Sequence, residues 1–115
     1  MTFEELNKSR ELRKEINQLK QTRASLSREF PKESNFDELD RLIREKRELR
    51  CAELIRLENY IDTIEDSVTR QILRGRFVQG MSWEAVAQRI GNNTAEGVRS
   101  RCIRYINARN KETGG

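Results

Sequence analysis

The side chains best suited to chemistry in this sequence are the arginines of its last third. Histidine is absent from the 115 residues, and the two cysteines, Cys51 and Cys102, are too far apart for a CxxC motif. The usual residues for histidine base catalysis, for a histidine-activated nucleophile and for a zinc site are therefore missing. We expect no enzyme activity, no metal and no cofactor. Guanidinium groups instead offer paired hydrogen bonds to phosphates or base edges.

Basic charge is concentrated toward the C-terminus. Residues 1–66 contain 14 Lys and Arg against 16 Asp and Glu, whereas residues 67–115 contain nine against three. The net charge of +4 therefore comes entirely from the second part. This asymmetry is typical of a nucleic-acid-binding end joined to a nearly neutral scaffold.

A helix-turn-helix pattern would position these arginines. A first helix is expected from Ser67 to the stop at Gly80, and a second from Trp83 to Ile90 with Ser82 as its N-cap. Gly91 provides the positive φ angle that such a turn requires. A third helix, about 95–109, then begins after the capping residue Thr94.

The outer face of this third helix carries the candidate DNA-binding residues, because the first turns of a recognition helix meet base edges in the major groove. Candidates for base contact are Thr94, Ala95, Glu96, Arg99 and Ser100. Candidates for phosphate contact are Arg70, Arg74, Arg101, Arg104 and Arg109. Double-stranded DNA is the expected partner.

Residues 70–77 (RQILRGRF), residues 80–87 (GMSWEAVA) and the pair Ile90-Gly91 resemble region four of bacterial sigma factors. They are more similar still to the sigma-region-four-like proteins of phages and prophages of Gram-positive bacteria. The resemblance covers about 45 residues. It implies sequence-specific DNA binding by the third helix, a role in transcription regulation, an N-terminal coiled coil, and RNA polymerase as a further candidate partner.

Two features depart from that family. The turn 91–94 is one residue longer than the usual sigma-type turn, and Gly97 lies inside the third helix, where it permits close approach to a neighbour or to DNA. The spacing of Trp83, Ala87, Asn93 and Val98 is also similar to Myb-like repeats. Both families bind DNA through the third helix, so the predicted function is the same, but individual base contacts do not carry over.

The first 66 residues are predicted to form a long antiparallel helical hairpin, which makes the fold class all-α. Thr2 and Glu5 have capping-box spacing, and Pro31 ends the first helix near Phe30. A second helix is expected from the N-cap Asn35 to about Asp66. Both helices carry apolar residues at heptad spacing, with Arg23 at one core-type position.

Each hairpin helix buries one face, so other apolar side chains are left for a second copy of the chain. We expect a homodimer through the hairpin, using the apolar positions Leu42, Leu49, Ile55 and Tyr60. A monomeric hairpin closed against its own C-terminal domain is the alternative.

No apolar run approaches the length of a membrane span or of a signal peptide. We therefore expect a cytoplasmic protein with no membrane partner. We also expect a disordered tail at 111–115.

Two other functions fit the same architecture. A DNA-packaging protein of small-terminase type also joins a helix-turn-helix to an oligomerising coiled coil, but it would form a ring. A coiled-coil protein-interaction module would contact a protein partner and bind no DNA. A ring of eight or more subunits would indicate a packaging protein, and a dimer would indicate a regulator. A lack of DNA affinity would indicate the protein-interaction module.

Overall fold

The computed structural model describes residues 1–33 and 35–112, and this part of the chain is all-helical, as predicted. The helices are α1 (Phe3–Glu29), α2 (Asp37–Asp62), α3 (Ser67–Leu73), α4 (Trp83–Ile90) and α5 (Ala95–Glu112). A π-helical turn, Arg74–Val78, continues α3. Ser34 in the predicted interhelical turn and residues 113–115 of the predicted tail lie outside the described residues.

Helices α1 and α2 form the predicted hairpin. The Thr2 hydroxyl accepts from the Glu5 amide and the Glu5 carboxylate accepts from the Thr2 amide, which confirms the capping box. Phe30 is the C-cap of α1, just before Pro31. The two helices pack along a narrow apolar line that includes the buried residues Leu12, Ile16 and Ile43.

Ion pairs between the two helices record their antiparallel register. Along α1 from its start, carboxylates and cations pair with residues progressively earlier in α2. The pairs are Glu5–Arg56, Lys8–Glu53, Glu15–Lys46 and Arg23–Asp40. Arg23 also lies over the ring of Phe36, 5.3 Å from its centroid, so this cation at a core-type position has two partners on the facing side. Exposed pairs of this kind add little stability individually, so their main information is the register.

The ends of α2 differ from the prediction. The N-cap of α2 is Phe36, not the predicted Asn35. The side-chain oxygen of Asn35 accepts a hydrogen bond from the Asp37 amide at 3.3 Å, at the first residue of the helix. Helix α2 ends at Asp62, four residues before the predicted end. The chain turns there because Ile64 enters the core and the Asp66 side chain caps α3.

One core spans the hairpin and the C-terminal helices. Leu6 of α1 and Leu57 and Ile61 of α2 belong to the same buried cluster as Phe77 and Ile106. The predicted boundary at 66/67 is thus a turn of the chain within a continuous core. Burial of this shared surface joins the open end of the hairpin to the helix-turn-helix.

Helix α3 is shorter in α-helical form than the sequence indicates, because the π-helical turn follows it. The Gln79 amide donates to the Arg74 carbonyl at 2.9 Å, a bond that spans five residues. Gly80, at φ +72°, then reverses the chain. Arg13 of α1 fixes this corner, since its guanidinium donates to the Gln79 carbonyl at 2.9 Å.

Helix α5 continues to Glu112, beyond its predicted end. Lys111 and Glu112, which we expected in a disordered tail, therefore belong to its last turn. Arg109 and Lys111 are well placed there, because cations favour the negative end of a helix. Among the described helices, none is long and apolar enough to cross a membrane.

Candidate nucleic-acid interface

The turn between α4 and α5 has the geometry that the sequence predicts. Ser82 caps α4 by accepting from the Ala85 amide, and Gly91 adopts φ +82°. Asn92 also has a positive φ of 54°, a conformation that asparagine tolerates better than most residues. The longer turn is therefore accommodated by two consecutive left-handed residues.

Close packing of α4 against α5 holds α5 in place. Val86 and Ala87 of α4 and Val98 and Cys102 of α5 are all buried in the shared core. Burial raises the pKa of the Cys102 thiol to about 12, so it behaves as a small apolar side chain. The inner face of α5 is fixed, and its opposite face is directed away from the core.

Thr94 caps the start of α5, and Gly97 leaves room for the Thr94 side chain. The Thr94 hydroxyl accepts from the Gly97 amide at 2.9 Å, which is an N-cap interaction. A Cβ atom at position 97 would lie 3.0 Å from that same hydroxyl oxygen. The glycine inside the helix is thus explained by the cap that it contacts.

The predicted base-contacting residues lie together on the first two turns of α5. Glu96 and Arg99 are exposed, as is Thr94, while Ala95 and Ser100 are partly buried. In the described part of the chain, Arg99 forms no hydrogen bond or ion pair. Its guanidinium is available to an external acceptor.

Four of the five predicted phosphate-contacting arginines, Arg109 included, have partners within the protein. Arg70 donates to the carbonyls of Ile64 and Glu65, at 2.6 and 2.9 Å, and so secures the turn after α2. Arg74 forms a paired interaction with the Glu58 carboxylate at 3.0 and 2.9 Å. The guanidinium of Arg101 lies 2.6 Å from a carboxylate oxygen of Asp66. Each contact joins separate segments of the fold, which gives these arginines a structural role.

Arg109 and Arg104 differ sharply in their surroundings. Arg109 lies over the Tyr60 ring, 4.3 Å from its centroid, and donates to the Tyr105 hydroxyl at 3.0 Å. Tyr60, which we expected to face a second copy of the chain, is instead covered by α5. Arg104 is exposed and has no internal polar contact within the described residues.

Helix α1 contributes to this surface, a feature that our sequence analysis missed. A groove of about 450 Å³ separates the first turns of α1 from the outer side of α5. Phe3 and Asn7 line it on the α1 side, and Arg99 lines it on the α5 side. The sequence does show a stripe of basic and neutral residues along α1. Its position beside α5 could not be predicted, because it depends on how α1 packs.

Arg76 lies in the floor of this groove. Its guanidinium stacks on Trp83, 4.6 Å from the ring centroid, and donates to the Met81 carbonyl at 3.2 Å. Trp83 in turn meets Phe77 edge to face, with 6.2 Å between ring centroids. Burial lowers the pKa of Arg76, and the positive charges of Arg10 and Arg99 lower it further.

The arrangement offers cation and hydrogen-bond contacts to an anion. No group of three His, Cys, Asp or Glu side chains in residues 1–33 and 35–112 could hold a metal ion. Cys51 is exposed on α2, far along the chain from the buried Cys102. Comparison of the chain with protein-family models, curated proteins and solved structures found no match.

Proposed function

We propose that this protein binds double-stranded DNA by placing α5 in the major groove, and that it acts as a sequence-specific transcriptional regulator. The observation that carries the proposal is that the guanidinium groups of Arg99 and Arg104 are available to an external partner. Both are exposed on a helix fixed by a helix-turn-helix, and in the described residues neither has an internal polar partner. The other predicted arginines of this domain are held by internal contacts.

The dimensions and chemistry of α5 suit a major groove. Its 18 residues give a rod about 27 Å long, and B-DNA admits one such helix into a groove about 12 Å wide. Arg99 can donate two hydrogen bonds to guanine, and Glu96, one turn earlier, can accept from cytosine. Arg104 lies further along the helix, where it can reach a phosphate.

The role in transcription rests on the resemblance to sigma region four rather than on the geometry. The exposed cations of α5 support binding of DNA, and the family that the sequence resembles binds DNA through that helix and regulates transcription. We therefore propose a regulator that reads a defined sequence. A protein that binds DNA without sequence preference would fit the charge but not the exposed Glu96, which repels phosphates.

We also propose that two chains pair through the hairpin. Leu42 and Leu49 are seven residues apart on α2, and 39% and 57% of their surfaces are exposed. This spacing places them on one exposed stripe of the helix, beside the ion pairs that Lys46 and Glu53 form with α1. Burial of such a stripe by a second chain would remove apolar surface from water.

Selection from a random library of duplex DNA tests the proposal directly. The full chain is incubated with the library at 100 mM salt, and bound duplexes are amplified over several rounds. The proposal predicts an enriched motif that binds the protein at least about 1,000-fold more tightly than unrelated DNA. Enrichment of no motif, with equal binding of all duplexes, would contradict it.

A further inference from the structure

One stripe of α1 carries basic and neutral side chains. Successive steps of four and three residues along this helix give Phe3, Asn7, Arg10, Lys14, Asn17 and Gln21. Glu11, four residues after Asn7 and three before Lys14, borders this stripe. Glu5 and Glu15 pair with Arg56 and Lys46 of α2, so two of the α1 carboxylates are oriented toward the partner helix.

This stripe borders the candidate interface. Its first turns, at Phe3 and Asn7, form one wall of the groove whose other wall includes Arg99. One to three turns further along, Arg10, Lys14 and Asn17 surround a second hollow of about 180 Å³ beside Gly80. The basic stripe of α1 thus continues the surface of α5 around the helix-turn-helix corner.

Positive charges are grouped here, and none of them forms an ion pair in the described part of the chain. Arg76 is close enough to Arg10 and Arg99 to experience the repulsion of both. Its Nε is buried and has no hydrogen-bond partner in the described part of the protein. Within those same residues Arg10, Lys14 and Arg99 form no ion pair, in contrast to Arg23, Arg74 and Arg101, each of which meets a carboxylate.

These cations, of which Arg10 and Arg76 are partly buried, repel one another, and a bound anion relieves that repulsion. An anion that follows both hollows must extend along α1 as well as α5. A nucleic-acid backbone has this form, because it carries a charge on every nucleotide. The basic surface of α1 is continuous with Arg99, which favours a nucleic-acid backbone over an acidic protein segment. With α5 in the major groove, the DNA strand beside α5 would also run along α1.

We propose that α1 is a second DNA-binding element, in which Arg10 and Lys14 contact phosphates flanking the base pairs that α5 reads. The hairpin then extends the DNA footprint as well as joining two chains. This inference rests on the proposed function of α5. The segment 1–66, which the sequence predicts to be a scaffold, would then contact DNA directly.

The test compares the salt dependence of DNA binding between two matched double variants. Arg10→Gln/Lys14→Gln removes two cations from the proposed contact, and Arg41→Gln/Arg47→Gln removes two exposed cations from α2. Binding to a fluorescent 30-base-pair duplex that contains the selected motif is followed by anisotropy between 50 and 200 mM NaCl. Each lost phosphate contact lowers the slope of log K against log salt by about 0.9.

The proposal predicts a slope lower by about 2 for each chain bound to the duplex in the α1 variant, and an unchanged slope in the α2 control. Equal slopes for the wild type and the α1 variant would overturn it while leaving the role of α5 intact. Failure of the wild-type chain to bind any duplex would overturn the proposed function as well. Binding of polyglutamate instead, dependent on Arg10 and Lys14, would identify an acidic protein partner and overturn both.

A single variant guards against loss of folding. Lys14→Gln alone changes one exposed side chain that forms no hydrogen bond or ion pair in the described residues. The slope is expected to fall by about 1 for each bound chain. An unchanged slope in this variant, with the wild-type circular dichroism spectrum, would also contradict the proposal.

Discussion

The carboxylate of Asp66 lies 2.6 Å from the guanidinium of Arg101, so the residue that caps α3 also binds α5. The same carboxylate accepts from the amide and the hydroxyl of Thr69. These contacts hold the pKa of Asp66 at about 2, below its ordinary value of 3.8. One side chain therefore joins the start of the helix-turn-helix to the middle of its last helix.

This pKa predicts a dependence of stability on pH. A carboxyl group whose pKa is lowered on folding stabilises the protein above its unfolded pKa, and this contribution is lost as the pH falls toward the folded value. We therefore expect part of the free energy of unfolding to disappear between about pH 3.8 and pH 2.

Urea titrations of the wild type and Asp66→Asn across that range measure this contribution. Asp66→Asn should be less stable than the wild type at pH 7, and its stability should decline less steeply below about pH 3.8. Glu65→Gln, which changes a neighbouring carboxyl in no described ion pair, is the control. Parallel pH profiles for the wild type and Asp66→Asn would contradict the expectation.

The shared core predicts that the hairpin and the helix-turn-helix unfold together. Leu6 is 0% exposed, and its replacement by alanine leaves a cavity beside the C-terminal helices. We expect Leu6→Ala to lower the free energy of unfolding by about 3 kcal/mol. The fluorescence of Trp83, the single tryptophan, should report the same midpoint as circular dichroism in urea.

Leu49→Ala serves as the matched control at a concentration where the chain is monomeric, because 57% of the Leu49 surface is exposed. It should change stability by less than about 0.5 kcal/mol. If the Trp83 transition in Leu6→Ala kept its wild-type midpoint, the helix-turn-helix would be an independently folding unit.

The two cysteines should differ in reactivity. Cys51 is exposed on α2, whereas Cys102 is 0% exposed with a thiol pKa of about 12. Because the thiolate is the reactive form, a disulfide reagent at pH 8 should label one thiol rapidly in the native protein. The second should react only after unfolding, and Cys51→Ser should abolish the fast phase. Two fast phases would show that Cys102 is accessible.

The exposed leucines predict the oligomeric state. We expect the wild type to behave as a dimer in size-exclusion chromatography with light scattering at micromolar concentration. Leu42→Glu/Leu49→Glu should give a monomer with unchanged helix content, because charged side chains at a paired apolar stripe must be desolvated. Cys51→Glu, at an exposed position on the opposite side of α2, is the control. A ring of eight or more subunits would instead favour a packaging protein.

Much of the fold could be predicted from local sequence signals. The Thr2–Glu5 capping box, the Ser82 cap and the glycines at 80 and 91 each act within a few residues, so spacing alone indicates them. Periodic apolar residues predicted the long helices for the same reason. The early end of α2 was missed because Asp66 reads as a continuation of the helix until its role as a cap is known.

The candidate site was only partly predictable. The exposure of Arg99 and Arg104 follows from their phase on α5, which the sequence gives. The internal partners of Arg70, Arg74 and Arg101 lie 5 to 35 residues away in the chain, and no periodicity indicates those pairings. The proposed role of Arg10 could not be predicted for the same reason, since it depends on α1 packing beside the helix-turn-helix.

The salt dependence of DNA affinity in Arg99→Ala/Arg104→Ala tests the central claim most directly. The selected duplex is titrated between 50 and 200 mM NaCl with this variant, the wild type and the control Arg41→Ala/Arg47→Ala. We expect the double variant to lose at least about 100-fold in affinity for the motif and to show a lower salt slope. Wild-type affinity and slope in the double variant would show that α5 does not read DNA.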